Sequence, residues 1–181
     1  LQYWAPEAAA GDDGRFYLYY CMGNPGNEQM ALRVAAADRP EGPYADTGTP
    51  LAECTGNRFA IDAHPFRDVD GRWYLFYARN YPQADVGPDG VRYRAGTGLA
   101  VDRLDWTLYE ANRRMDAYGR TFDEWHTIEG AFVRRHRGRY YCFYSGANWQ
   151  TPRYGVDYAV ADRVTGPYTG QGREARGLRG V

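Results

Sequence analysis

Two carboxylates stand at matching distances ahead of two similar segments. Asp62, in Ile61-Asp62-Ala63-His64, lies nine residues before Gly71, and Glu129, in Ile128-Glu129-Gly130-Ala131, lies nine residues before Gly138. Each glycine opens a run of aromatic residues suited to a strand. Two acids carried by successive units into one pocket can divide acid–base work. One protonated carboxyl donates to a departing oxygen while an ionised one activates water, the division that cleavage of a glycosidic bond requires. A carboxylate at a strand start can equally accept from backbone N–H groups of a turn. Ala5, nine residues before Gly14 in a third such segment, counts against that plainer account, because it shows that the fold does not demand an acid there.

The elements that must position these acids are repeats. Gly14-Arg15-Phe16-Tyr17-Leu18-Tyr19-Tyr20, Gly71-Arg72-Trp73-Tyr74-Leu75-Phe76-Tyr77 and Gly138-Arg139-Tyr140-Tyr141-Cys142-Phe143-Tyr144 share one pattern. Ala37-Asp38-Arg39-Pro40-Glu41-Gly42-Pro43-Tyr44 matches Ala161-Asp162-Arg163-Val164-Thr165-Gly166-Pro167-Tyr168, and both elements recur at an offset of 124 residues. The middle unit has a weaker counterpart in Val101-Asp102-Arg103, displaced by seven residues that a long loop over 81–98 absorbs. Each unit reads as four short strands. A lead strand runs into a turn (Gly11-Asp12-Asp13-Gly14, Asp68-Val69-Asp70-Gly71 or Arg135-His136-Arg137-Gly138), and the aromatic run follows as the second strand. Residues 32–37 and their equivalents form the third, and the segment around Pro-Tyr the fourth. Residues 108–115 admit either helix or strand.

Because the aromatic runs do not alternate apolar with polar, both faces of those strands are expected to be covered. Blades stacked around an axis do this, whereas a sandwich with one wet face favours alternation. The expectation is therefore an all-β fold, a β-propeller of four-stranded antiparallel blades. The blades fall near 1–56, 57–122 and 123–172, with 173–181 as a tail or linker. Three blades do not close a ring, since propellers have about four to eight, so the chain is expected to be part of a larger one.

Composition narrows the function classes. A formal net charge of -1 leaves no electrostatic footprint for nucleic acid or an anionic membrane, and all 22 basic residues are Arg. No run approaches the ~18 apolar residues of a membrane span. The 17 Tyr residues suit strands and also sugar-facing surfaces, since each offers a flat apolar ring with a polar tip. Cys21, Cys54 and Cys142 form neither a metal-ligand spacing nor an even disulfide set. Cys21 and Cys142, inside aromatic runs, read as buried free thiols. The compartment, secreted or cytoplasmic, and the oligomeric state are not legible.

Trp4-Ala5-Pro6-Glu7, Ile61-Asp62-Ala63-His64-Pro65-Phe66 with Asp68-Val69-Asp70-Gly71, and Ile128-Glu129-Gly130-Ala131-Phe132 with Tyr140-Tyr141-Cys142-Phe143-Tyr144-Ser145-Gly146 resemble glycoside hydrolase family 43. The likeness runs from Trp4 to about Gly170. It implies a five-bladed propeller, here without its first and last blades, among inverting β-xylosidases, α-L-arabinofuranosidases and arabinanases. Glu129 matches the family's general acid, and Asp62 matches the acid that orients it and tunes its pKa. The family's general base is an Asp of the first blade, upstream of Trp-Ala-Pro. No residue here matches it, so the 181-residue chain by itself is expected to be inactive. Ala63 and Ala131 stand where the family often has Pro, which removes a fixed φ angle.

Several further residues are candidates for contact with a saccharide. Trp4, Trp149 and Tyr154 could stack on sugar rings, though Trp4 could equally be core. His64, two residues after Asp62 on one face of a strand, could meet a sugar hydroxyl or make a structural hydrogen bond. His126, three residues before Glu129, would lie in the loop leading to it. Asp68-Val69-Asp70-Gly71 begins like a calcium loop but lacks the downstream ligands and reads as a hairpin turn. Family members often hold an axial metal partly through a fifth-blade His that has no counterpart here, so no metal and no cofactor is expected. The partner is a pentose-containing saccharide. A non-catalytic carbohydrate-binding propeller, or an inactive truncated product, is the alternative. A five-bladed fructosidase is disfavoured because Glu-Gly stands in place of Glu-Cys.

Overall fold

The computed structural model describes residues 1–23, 30–48, 51, 59–81, 85–86, 92–93, 96–103, 113–114, 128–146, 152 and 154–170. They form an all-β structure of successive antiparallel sheets. Strands β1 (Gln2–Ala10), β2 (Phe16–Gly23), β3 (Met30–Ala37) and β4 (Ala45–Asp46) pair in chain order as the first sheet. In the second, β5 (Ala60–Arg67) pairs with β6 (Trp73–Tyr81). A small hairpin, β7 (Asp85–Val86) with β8 (Arg92–Tyr93), precedes β9 (Gly96–Arg103) and β10 (Arg113–Arg114), and the sheet order is β10-β9-β6-β5. The third sheet runs β11 (Ile128–His136), β12 (Arg139–Gly146), β13 (Gly155–Ala161) and β14 (Thr169–Gly170) in order. Four-stranded meanders stacked in succession are the architecture of propeller blades. No described helix is long and apolar enough to cross a membrane.

The repeats have a visible structural purpose. Arg15 at the head of β2 donates from Nε to Asp38 Oδ1 (3.3 Å), and Arg139 at the head of β12 donates likewise to Asp162 (3.0 Å). Thus the Gly-Arg and Ala-Asp elements recur together because they meet across the second and third strands. In the following turn, Gly42 N–H donates to Arg39 O and Gly166 N–H to Arg163 O. The hydroxyls of Tyr44 and Tyr168 close each turn on the carbonyls of Pro40 and Val164, at 2.8 and 2.9 Å.

Two details depart from the sequence reading, and one open choice is settled in part. The stretch 81–98 is not only loop, since Tyr81 belongs to β6, the β7–β8 hairpin lies within it, and β9 starts at Gly96. Within 108–115, Arg113–Arg114 is strand. Val101-Asp102-Arg103 is not the register equivalent of Ala37-Asp38-Arg39. Ala37 and Ala161 face Phe16 and Tyr140, two residues after their glycines, whereas Val101 faces Phe76, five after Gly71.

Coverage of both faces holds for the middle sheet. Tyr74 through Ala78 on β6 are all buried, because this sheet lies between the other two. On β12 burial alternates, Cys142 and Tyr144 inside and Phe143 39% exposed. That sheet has a described neighbour on one side only, so its outer face, with Val156, meets water. Cys21 and Cys142 are buried free thiols, and Cys54 lies outside the described residues.

A bulge interrupts the first strand of each four-stranded sheet. Register shifts fall between Trp4 and Glu7, Ile61 and His64, and Glu129 and Phe132, so that two residues oppose one on the partner strand. The first residue of each pair is left-handed: Ala5 at φ 44°, Asp62 at 57° and Gly130 at 64°. Asp62 is therefore equivalent to Gly130, not to Glu129, which stands one residue earlier. Counting from the glycines slips here because the third turn is short. Ala10 pairs with Phe16 and Arg67 with Trp73, but His136 pairs with Arg139 across only Arg137-Gly138, both at positive φ. Alanine tolerates a left-handed backbone poorly and glycine accepts it freely. Ala5→Gly should therefore raise stability by about 0.5–1 kcal/mol in urea unfolding, whereas Ala8→Gly on the same strand should lower it.

Candidate active site

The bulge sets Asp62 between sheets. Its own N–H donates to Cys21 Sγ of the first sheet (3.2 Å), and its Oδ2 accepts the Gly130 N–H of the third (3.0 Å). Two residues before Gly130, Ile128 N–H donates to Oγ1 of the buried Thr97 at 2.7 Å. Glu129 thus sits between two backbone N–H groups, both held by the second sheet. Its Oε1 accepts the hydroxyl of Tyr154 at 2.6 Å. The structure brings Asp62, Glu129 and Tyr154 together.

Electrostatics follow from this crowding. Burial, then the nearby charge of Glu129, pushes the Asp62 carboxyl up to about 6 from an ordinary 3.8, against the pull of the Gly130 N–H. Tyr154 is pushed up to about 12, by burial and then by its bond to Glu129, so its phenol stays protonated and can only donate to the carboxylate. Burial likewise lifts Cys21 to about 12, which keeps a neutral thiol against the Asp62 N–H.

The remaining candidates lie elsewhere or differently. His64 is 5% exposed, and its Nδ1 donates to Glu7 Oε1 at 2.6 Å across the first and second sheets. Its ring rests on Phe132 with centroids 5.0 Å apart. Glu7, His64 and Phe132 each follow the bulge of their own strand, so register-equivalent residues form one row across the three sheets. The bulge also breaks the two-residue alternation on which the expected shared face of His64 and Asp62 rested. Trp4 is partly buried against the core. His126 and Trp149 lie outside the described residues. Ala63 and Ala131 are both the second residue of a bulge, in register with Pro6. Sequence reasoning missed Thr97, Cys21 and Gly130 as partners. Thr97 and Cys21 carry no local signal, while Gly130 was legible as a glycine beside an acid.

An axial metal can be tested against His64, whose Nε2 is buried with no partner among the described residues. Among the described residues no three His, Cys, Asp or Glu gather as a metal-binding group. The described residues do not fit an ion by themselves, and no step is derived through one.

Comparison with known proteins now bears on this geometry. The model of glycosyl hydrolases family 43 matches residues 1–175. The chain belongs to that family. Among similar proteins, a β-D-galactofuranosidase of Aspergillus niger is 29% identical over 92% of this chain and 45% of its own length. A β-xylosidase of Xylanibacter ruminicola is 27% identical over 88% of this chain and 53% of its own. The crystal structure of a thermostable family-43 glycoside hydrolase superposes with a TM-score of 0.77 at 25% identity, covering 93% of this chain and 53% of that one. A family 43 enzyme of Xanthomonas citri, solved with xylotriose, gives a TM-score of 0.64 at 28% identity, covering 94% and 55%. The chain spans about half the length of the curated relatives it matches.

The raised pKa of Asp62 has a measurable consequence. Between about pH 4 and 6 the folded protein keeps a proton that the unfolded chain has released. This group's contribution to stability therefore falls as pH rises through that window and leaves a penalty above it, on the order of 2–3 kcal/mol. Asp62→Asn retains an oxygen for the Gly130 N–H and tolerates positive φ. Urea midpoints should show the variant more stable than the parent near neutral pH and little changed near pH 4.

Proposed function

We propose that this family 43 chain carries the proton donor and its partner carboxyl of a glycoside hydrolase acting on arabinose- or xylose-containing saccharides with inversion. Glu129 is the general acid in this reading. Asp62 orients it and adjusts its charge balance, and the base that activates water is supplied from outside this chain. The observation that carries the reading is the pairing of Glu129 with a carboxyl raised to about 6, on adjacent first strands. Two carboxyls so placed resist carrying two charges, which is the condition for keeping a proton available for donation. Tyr154 contributes orientation. Its hydroxyl donates to Oε1, which leaves Oε2 to carry the transferable proton. The sugar class is what membership of the family suggests, and the relatives' names span galactofuranose, arabinan and xylose.

The test uses a protein in which the ring is complete. Hydrolysis should invert the anomeric centre, read by NMR of the first-formed product, with acid and base carboxyls roughly 6.5–9.5 Å apart. Glu129→Ala should cut kcat/KM on an oligosaccharide by about 10²–10⁴-fold while sparing a p-nitrophenyl glycoside, whose leaving group departs with little protonation. Asp62→Asn should lower both. Equal losses for Glu129→Ala on the two substrates would remove Glu129 as the donor.

A further inference from the structure

At the opposite end of the strands from Asp62, a cavity of about 210 Å³ opens between the turns of the first and second sheets. Gly11, Asp12, Asp13, Tyr17, Tyr19 and Trp73 line it. Along β5, five residues separate Asp62 from Arg67 at this end, ~16 Å at strand rise. We propose that this cavity is a second saccharide-binding site, taking one sugar ring of a neutral oligosaccharide independently of the candidate active site.

The walls are held in place before any ligand arrives. Tyr17 donates its hydroxyl to Asp13 Oδ2 at 2.6 Å, and Asp13 Oδ1 accepts the Arg15 N–H at 3.1 Å. Trp73, from the second sheet, donates Nε1 to Asp12 Oδ2 at 3.1 Å, while Arg67 holds the other oxygen of Asp12 at 3.0 Å. Gly11 is required for this packing: a Cβ there would stand 2.5 Å from the Tyr17 ring and 2.6 Å from Asp13 Oδ1.

One group in the wall lacks a partner. Tyr19 is 5% exposed and lines the cavity, and its hydroxyl has no hydrogen-bond partner among the described residues. Burial keeps that phenol protonated, with its pKa pushed up to about 12. A ligand oxygen in the cavity can take the place of water as the partner of this hydroxyl. Aromatic walls suit the C–H face of a sugar, and carboxylate oxygens with a phenol donor suit its hydroxyl rim. A quaternary ammonium ion would use the rings but leave the phenol unsatisfied. A second site on the same glycan would raise the effective concentration of substrate at the first. The assignment goes beyond the proposed cleavage and does not depend on it.

The experiment is a titration of the ¹⁵N-labelled chain with xylotriose and with arabinotriose, followed by amide and indole NMR shifts. Saturable shifts should appear in the Gly11–Tyr19 segment and at the Trp73 indole, with a Kd on the order of 1 mM. Trp73→Ala should weaken binding at least about tenfold and Tyr19→Phe about three- to tenfold, while Glu129→Gln leaves it within about twofold. Tyr19→Phe decides the matter if Trp73→Ala does not fold. Absence of saturable shifts in a well-dispersed spectrum would overturn the proposal, and so would loss of binding in Glu129→Gln. Undiminished binding in Tyr19→Phe, or tetramethylammonium binding in place of either saccharide, would overturn it as well.

Discussion

The link between Asp62 and its neighbours at the candidate site depends on one extra residue in the first strand of each four-stranded sheet. An unbroken strand would keep its N–H groups in its own ladder and its side chains in strict alternation. The bulge frees both. At Asp62 it turns the backbone left-handed, releases an N–H to a thiol of one neighbouring sheet and lets the carboxyl reach a released N–H of the other. Aspartate is among the few residues with a side chain that tolerate that backbone. A local distortion thus becomes a bond across the stack, and the candidate side chains sit where the sheets are tied together.

The middle sheet is consequently the structural hub. Its neighbours reach it at both ends of the strands. Glu7 with His64 and Gly130 with Asp62 meet near the bulges, while Trp73 with Asp12 and Tyr140 with Asp68 meet near the turns. Apolar packing fills the space between, with Phe76 and Tyr77 fully buried. A polar group buried there is tolerable only because a partner comes from the next sheet. The sheets are therefore tied to one another by side-chain bonds as well as by apolar packing.

Much of the fold was legible in the sequence because its signals are local. Gly-Arg-aromatic runs mark second strands, and the Asp of the Ala-Asp-Arg element recurs because Arg15 and Arg139 need it. Register was not legible. A change from a longer turn to Arg137-Gly138 moves the third first-strand by one residue relative to its glycine, and counting cannot see which side of the turn has lost it. The slip misstated the relation of Asp62 to Glu129. They are successive features of one bulge geometry, not copies of one position. Thr97 was hidden for another reason. Its partner lies 31 residues away, and a threonine in a strand normally needs no explanation.

The row of left-handed bulge positions has a consequence for descent. Ala5 and Gly130 occupy the same backbone socket as Asp62, in the sheets on either side of it. An alanine or glycine codon ending in a pyrimidine is one base away from an aspartate codon. A lineage built on this scaffold can therefore move a carboxylate from blade to blade, or add another, without redesigning a strand. The acid's place in the ring is a heritable choice among ready-made sockets.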